Sequence, residues 1–139
     1  MTDVAGRSGP NWWSIGLWVA QALLAFLYAF AGYTKLFTPI PDLAAMMAWA
    51  PTFPEWLVRF IGAVEIAGAL GMILPAATRI LPWLTPLAAL GFSVIQVLAI
   101  GLHAMRGETA MTLPFNLVLL ALSLFVLWGR WRKAPIAPR

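Results

Sequence analysis

Five side chains in this sequence could do chemistry where water is scarce: Tyr28, Lys35, Glu65, Gln96 and His103. Each lies within or at the end of a long apolar run, and a polar group in hydrocarbon is costly unless a partner meets it. Glu65 is the central one. Apolar surroundings disfavour its charged form unless a cation pairs with it, so it reads as a carboxylate that handles protons or holds a ligand, with Lys35, His103 or Arg59 as its counter-charge. An imidazole can both donate and accept a proton, so His103 suits a proton shuttle or an axial ligand. Glu65 and His103 are therefore the candidate catalytic residues, and together with Tyr28, Lys35 and Gln96 they form the candidate ligand-binding set. Each also has a plainer reading. Glu65 would hydrogen-bond Tyr28 or Gln96 to hold helices together, His103 would bond a backbone carbonyl, and Lys35 would snorkel outward as an anchor.

Spacing assembles these residues. Gln21, Tyr28 and Lys35 are seven apart, as are Gln96 and His103, and so are Asn116, Ser123 and Arg130. A period of seven keeps one face of an α-helix, so each run carries one polar seam. Seams turned toward lipid would leave several groups unsatisfied, so they are expected to face one another. Counting at about 1.5 Å per residue puts Glu65 about 14 Å below one surface, with Tyr28, Gln96 and Ser123 near that level. Lys35, His103, Asn116 and Arg59 form an outer tier, and Arg106 and Glu108 are expected as solvated loop charges.

The elements that must position these seams follow from composition. Of 139 residues, 62% are hydrophobic, and only nine Lys plus Arg and five Asp plus Glu are present. That is too little charge to cover a water-soluble domain, which excludes a soluble enzyme. Cys is absent and His103 is the single His, so thiol chemistry is excluded, and one chain cannot supply a multi-His metal centre. No metal site and no intrinsic cofactor are expected.

Four stretches are long and apolar enough to cross a bilayer, at about residues 15–37, 56–74, 81–102 and 115–131. The runs are continuous, not alternating, so the fold expected is an all-α, four-helix transmembrane bundle in a single domain over residues 1–139. Thr52 and Glu55 fit a capping box at the start of the second span, Pro75 is expected to end it, and Pro82, Pro86 and Pro114 fall near the starts of the third and fourth. Trp12, Trp13, Trp56, Trp83, Trp128 and Trp131 fall near span ends, as an aromatic belt requires. The Pro-bounded segment between spans one and two is apolar and too short to cross. A short interfacial helix at about residues 42–49, capped by Asp42, is expected there. It serves either as a connection or as a lid.

Arg7, Arg79, Arg130, Arg132, Lys133 and Arg139 lie on the side of the termini, against Lys35, Arg59 and Arg106 opposite, so both termini are expected in the cytoplasm of a multi-pass cell-membrane protein. The first span is not expected to be a cleaved signal peptide, because Asp3 balances Arg7 and the run is long. The charge of +4 is a topology signal and attracts anionic lipid; nucleic-acid binding is not expected.

Gly32-Tyr33-Thr34-Lys35-Leu36 at the end of span one, Phe60 to Gly71 in span two, and His103 near Gly107-Glu108 after span three together resemble the DoxX-like family of small four-helix membrane proteins. The resemblance covers nearly the whole chain, and Lys35, Glu65 and His103 fall on its pattern. It implies an accessory component of a membrane redox system. The polar site between the helices would bind a quinone or a similar amphipathic molecule, and a membrane or peripheral redox partner would supply the electrons. The alternative is a non-catalytic structural subunit or assembly factor of a larger membrane complex, as some relatives are described. Self-association into a homo-oligomer is compatible with either.

Overall fold

A computed structural model describes residues 11–139; Asp3 and Arg7, which enter the topology and signal-peptide readings, lie outside them. The described residues form five α-helices: α1 (Trp12–Phe37), α2 (Ile40–Met46), α3 (Glu55–Thr78), α4 (Leu84–Met105) and α5 (Thr109–Trp128). A 3₁₀ turn, Ala50–Thr52, leads into α3, and α5 widens into a π turn, Gly129–Lys133. The four long helices are each of membrane-crossing length and hydropathy, and α2 is the expected short helix between the first two spans. The protein is an integral membrane four-helix bundle. Large apolar side chains such as Phe26, Leu70 and Leu98 point outward, as they do when the solvent is lipid.

The helices run up and down in chain order. α1 packs chiefly on α3 and α4 chiefly on α5, while α3–α4 and α1–α5 contacts join the two pairs. We call the end that carries α2 the α2 end, and the end that holds the carboxyl-terminal tail the tail end. The expected tryptophans are all exposed at or near helix ends.

Several boundaries differ from expectation, each for a physical reason. Pro75 does not end its helix; α3 continues to Thr78. A proline leaves the carbonyl four residues earlier without its amide donor, and here that carbonyl, on Gly71, accepts a hydrogen bond from Thr85 Oγ1 at 2.8 Å. A neighbouring helix thus repairs the break. Pro114 lies inside α5, which begins five residues earlier at Thr109, and α4 begins at Leu84 after Pro82. The capping box does not form. Pro54 holds the N-cap of α3 without a side-chain bond, Thr52 Oγ1 donates back to the Trp49 carbonyl, and the Glu55 carboxylate accepts from Arg59 at 2.9 Å. Asp42 is likewise not a cap. α2 starts at Ile40 behind Pro39, Asp42 stands in its first turn, and the helix ends at Met46, short of Trp49.

Candidate functional site

The polar seams turn inward. Gln21, Tyr28 and Lys35 of α1, Glu65 of α3, Gln96 of α4 and Asn116, Ser123 and Arg130 are all buried, in a bundle whose outer surface is apolar. They separate into two groups at opposite ends, and a third set at the α2 mouth joins one of them.

At the α2 end the geometry begins with two glycines. A Cβ at Gly32 would stand 2.7 Å from the Gly62 carbonyl oxygen, and one at Gly62 would stand 2.8 Å from the Gly32 carbonyl oxygen and from Lys35 Cβ. Only glycine permits backbones to approach so closely. One turn from each glycine stands a charge, Lys35 on α1 and Glu65 on α3. Because the helices are antiparallel, Lys35 starts beside Gly62 and reaches inward over it to Glu65. Its Nζ donates to Glu65 Oε1 at 2.8 Å, with both side chains enclosed. The expected outward snorkelling of Lys35 is therefore corrected: the close helix contact gives its stem a groove toward the interior, and the acid waits at its end. Glu65 takes Lys35 as its partner, and neither Tyr28 nor Gln96. Among the described residues no group donates to Glu65 Oε2.

Tyr28 and Gln96 pair with each other across the bundle, Gln96 Nε2 donating to Tyr28 Oη at 2.6 Å. The Tyr28 ring stacks on Phe92 with centroids 3.7 Å apart and planes within 8°. Phe92 itself presses on Gly68, where a Cβ would meet its ring.

At the mouth, His103 does not bond a backbone carbonyl. Its Nδ1 lies 2.8 Å from Glu108 Oε1, and Arg106 Nε donates to Glu108 Oε2 at 3.2 Å. Arg106 and Glu108 are thus partly exposed, as expected of loop charges, but bonded to each other rather than separate, because the turn at Gly107, with φ of 73°, folds Glu108 back over the end of α4. The hydrogen bond from His103, with the Arg106 guanidinium beside it, holds the Glu108 carboxyl below the usual carboxylate range. Arg59 closes the neighbouring edge. Its Nη1 donates to the carbonyls of Lys35 and Thr38 at 2.8 and 2.7 Å, capping the carboxyl end of α1.

Most of these groups, though neither Arg59 nor Arg106, line one cavity of about 880 Å³ walled by all four long helices and bordered by the segment from Ala44 to Phe53. Its wall carries Tyr28, Lys35, Glu65, Gln96 and His103, and also Asn116. The size is within the range of small-molecule sites. Phe30, Leu98 and Met111 also line it while being largely exposed on the outer surface, so the space reaches the lipid-facing side of the bundle. Asn116 was expected in the outer tier but outside the site set. Its place on a seven-residue seam with Ser123 and Arg130 was the signal that pointed inward.

The second polar group sits at the tail end and is closed by hydrogen bonds within the bundle. Arg130 is buried, not a loop cation: its Nε donates to Gln21 Oε1 at 2.7 Å and its Nη1 to Ser14 Oγ and the Ala134 carbonyl at 3.2 and 2.9 Å. Gln21 Nε2 in turn donates to the Met72 carbonyl at 2.6 Å. Ser123 bonds within its own helix, to the Leu119 carbonyl. Among the described residues, no three metal-ligating side chains come together.

The α2-end cavity can therefore hold an apolar body with a polar head, offering an ion pair, a phenol, two amides and an imidazole–carboxylate pair on its wall. No curated protein and no solved structure matches the chain. A family model described as DoxX-like does match, over residues 19–126, a stretch that contains every residue of the cavity wall named here, and the chain belongs to the DoxX-like family.

Proposed function

We propose that the protein is an accessory component of a membrane redox system and that the cavity binds a quinone or a similar amphipathic molecule. The observation that carries this reading is a roughly ligand-sized space with one polar wall that also reaches the lipid-facing surface. A lipid-soluble molecule can arrive from the bilayer and place its head beside Glu65. The buried Lys35–Glu65 pair keeps a carboxylate ready near that head, and the free Oε2 can accept a proton or a hydrogen bond. With Nδ1 of His103 donating to Glu108, the ring's Nε2 is left to exchange protons at the mouth. Electrons come from a partner protein's flavin or metal.

Extraction of bound lipid from protein purified in mild detergent should yield quinone, and Glu65→Gln should lower partner-dependent quinone reduction. Absence of bound quinone together with unchanged reduction in the variant would sink the reading. The termini face the cytoplasm in this proposal, in keeping with the cations Arg79, Arg132, Lys133 and Arg139 at the tail end. Single cysteines at Arg79 and Gly107 should be labelled from opposite sides of the membrane.

A second reading has its own observation. A shallow apolar groove of about 430 Å³ between α3 and α4 is lined by Ala67, Gly71, Ala88 and Gly91, small residues of the kind that let another helix pack closely. In that case the protein is a structural subunit or assembly factor of a larger complex. Gly91 has open space around it, whereas a Cβ at Gly71 would meet Ala88 at 3.1 Å. Gly91→Leu is thus the cleaner probe. It should abolish recovery of a partner complex while Glu65→Gln leaves that recovery intact.

A further inference from the structure

The cavity runs on past its polar wall. Leu57 and Ile61 of α3 and Leu102, Leu98 and Ile95 of α4 line it. Val64, Gly68 and Gly71 of α3 and Ile95, Gly91, Ala88 and Leu84 of α4 line the apolar groove between the same two helices. Ile95 belongs to both. On each helix the two sets join into a single stripe: Leu57, Ile61, Val64, Gly68 and Gly71 follow at steps of four and three, and so do Leu102, Leu98, Ile95, Gly91, Ala88 and Leu84. Such steps keep one helix face. The two stripes meet across the antiparallel pair. Gly71 stands against Ala88, where a Cβ would lie 3.1 Å away, and Gly68 stands against the Phe92 ring, which floors the groove. From Leu102 to Leu84 the trough runs about 27 Å at 1.5 Å per residue, most of a hydrocarbon core about 30 Å thick. It is open to the outside along that length. Leu98 is 67% and Val64 39% exposed, and a Cβ at Gly91 would meet nothing within 4 Å.

We propose that the ligand of the cavity is a long-chain lipid, whose hydrocarbon chain leaves past Leu98 and Ile95 and lies in the α3–α4 groove. The inference rests on the reading of the cavity as a site for a quinone-like amphiphile and names its class, a membrane quinone with a long apolar chain. A head beside Glu65 must send its chain out of the bundle. The Gly32–Gly62 contact shuts the α1–α3 side, whereas on the α3–α4 side cavity and groove are continuous through Ile95. Bilayer lipid is as apolar as the groove, so a chain gains no hydrophobic free energy by entering it. What holds the chain is close contact with the groove walls and the Phe92 ring, added to the anchoring of the head. The open space at Gly91 gives it room. This occupant excludes a partner helix from the same groove.

The test uses the purified protein in lipid nanodiscs and a quinone whose long hydrocarbon chain ends in a photoactivatable diazirine. After irradiation, peptide mapping should place the label around Gly71, Leu84 and Ala88. Excess unlabelled long-chain quinone should remove it, and the same hydrocarbon without a quinone head should not, which separates the ligand's own chain from ordinary lipid. Gly91→Leu puts a side chain into the open space and should lose most of the label. Label outside the groove, label that the headless hydrocarbon removes equally well, or label undiminished in Gly91→Leu would overturn the inference. Absence of label because a second copy or a partner helix covers the groove would overturn it too. In each of these cases the broader reading stands if a short-chain quinone still binds the unaltered protein. If neither quinone binds, both fall. Mapping on the unaltered protein decides the matter even if the variant fails to fold.

Discussion

The bundle buries a cation at each end and satisfies the two in opposite ways. At the tail end Arg130 is buried and met by neutral oxygens of Gln21, Ser14 and Ala134. At the α2 end Lys35 is met by a carboxylate, and the pair stands on the wall of a cavity. A planar guanidinium can be satisfied by dipoles alone, since it offers five donors over a diffuse charge. An acid and an ammonium enclosed together depend on each other, because removing either strands the other in a medium of low dielectric. The tail end is thus a lock made of hydrogen bonds. The α2 end places a buried Lys–Glu pair beside open space, an arrangement that packing alone would not call for.

The largest test of this contrast is Lys35→Met. It leaves Glu65 buried without its cation and should cost about 3–5 kcal/mol, read as a drop in thermal unfolding temperature in detergent. Adding Glu65→Gln to that variant should restore part of the loss. A cost below that of the arginine variant would erase the distinction between the ends. Arg130→Met removes bonds to neutral groups and leaves the Gln21 oxygen unmet, so about 1–3 kcal/mol is expected by the same measurement. Thr85→Val, also at the tail end, orphans the Gly71 carbonyl beside Pro75 and should cost about 1 kcal/mol. Hydrogen exchange at α3 amides near that proline would report it. The smallest effect concerns pH at the mouth. The Glu108 carboxyl is held below its ordinary range, so its ties to His103 and Arg106 contribute while it is ionised, above the unfolded value of about 4.3. They are lost as pH falls through the lower folded value, and Glu108→Gln should flatten that acid dependence.

Four crossings, the short helix between the first two, and the inward turn of the seams were all legible from the sequence. Apolar run length and a period of seven are properties of single helices, and a bilayer leaves such segments little choice of form. Pairings within the seams were not legible. Whether Glu65 meets Tyr28, Gln96 or Lys35 depends on how two helices rotate and how closely they approach, and the Gly32–Gly62 contact decides that. Pro75 was misjudged because its usual effect assumes that nothing else can satisfy the freed carbonyl, and Thr85 is distant in sequence. That Glu108 bonds His103 and Arg106 was not legible either, because the positive φ at Gly107 that folds it back is a property of the turn.

The Gly32–Gly62 contact has one more consequence. Two helices whose backbones touch can neither slide nor part without losing that fit, and any side chain added at the crossing would meet a carbonyl oxygen or Lys35 itself. α1 and α3 are therefore the fixed pair of the bundle. Any rearrangement around the cavity then falls to the other side, the α4–α5 hairpin or the segment between Thr38 and Phe53.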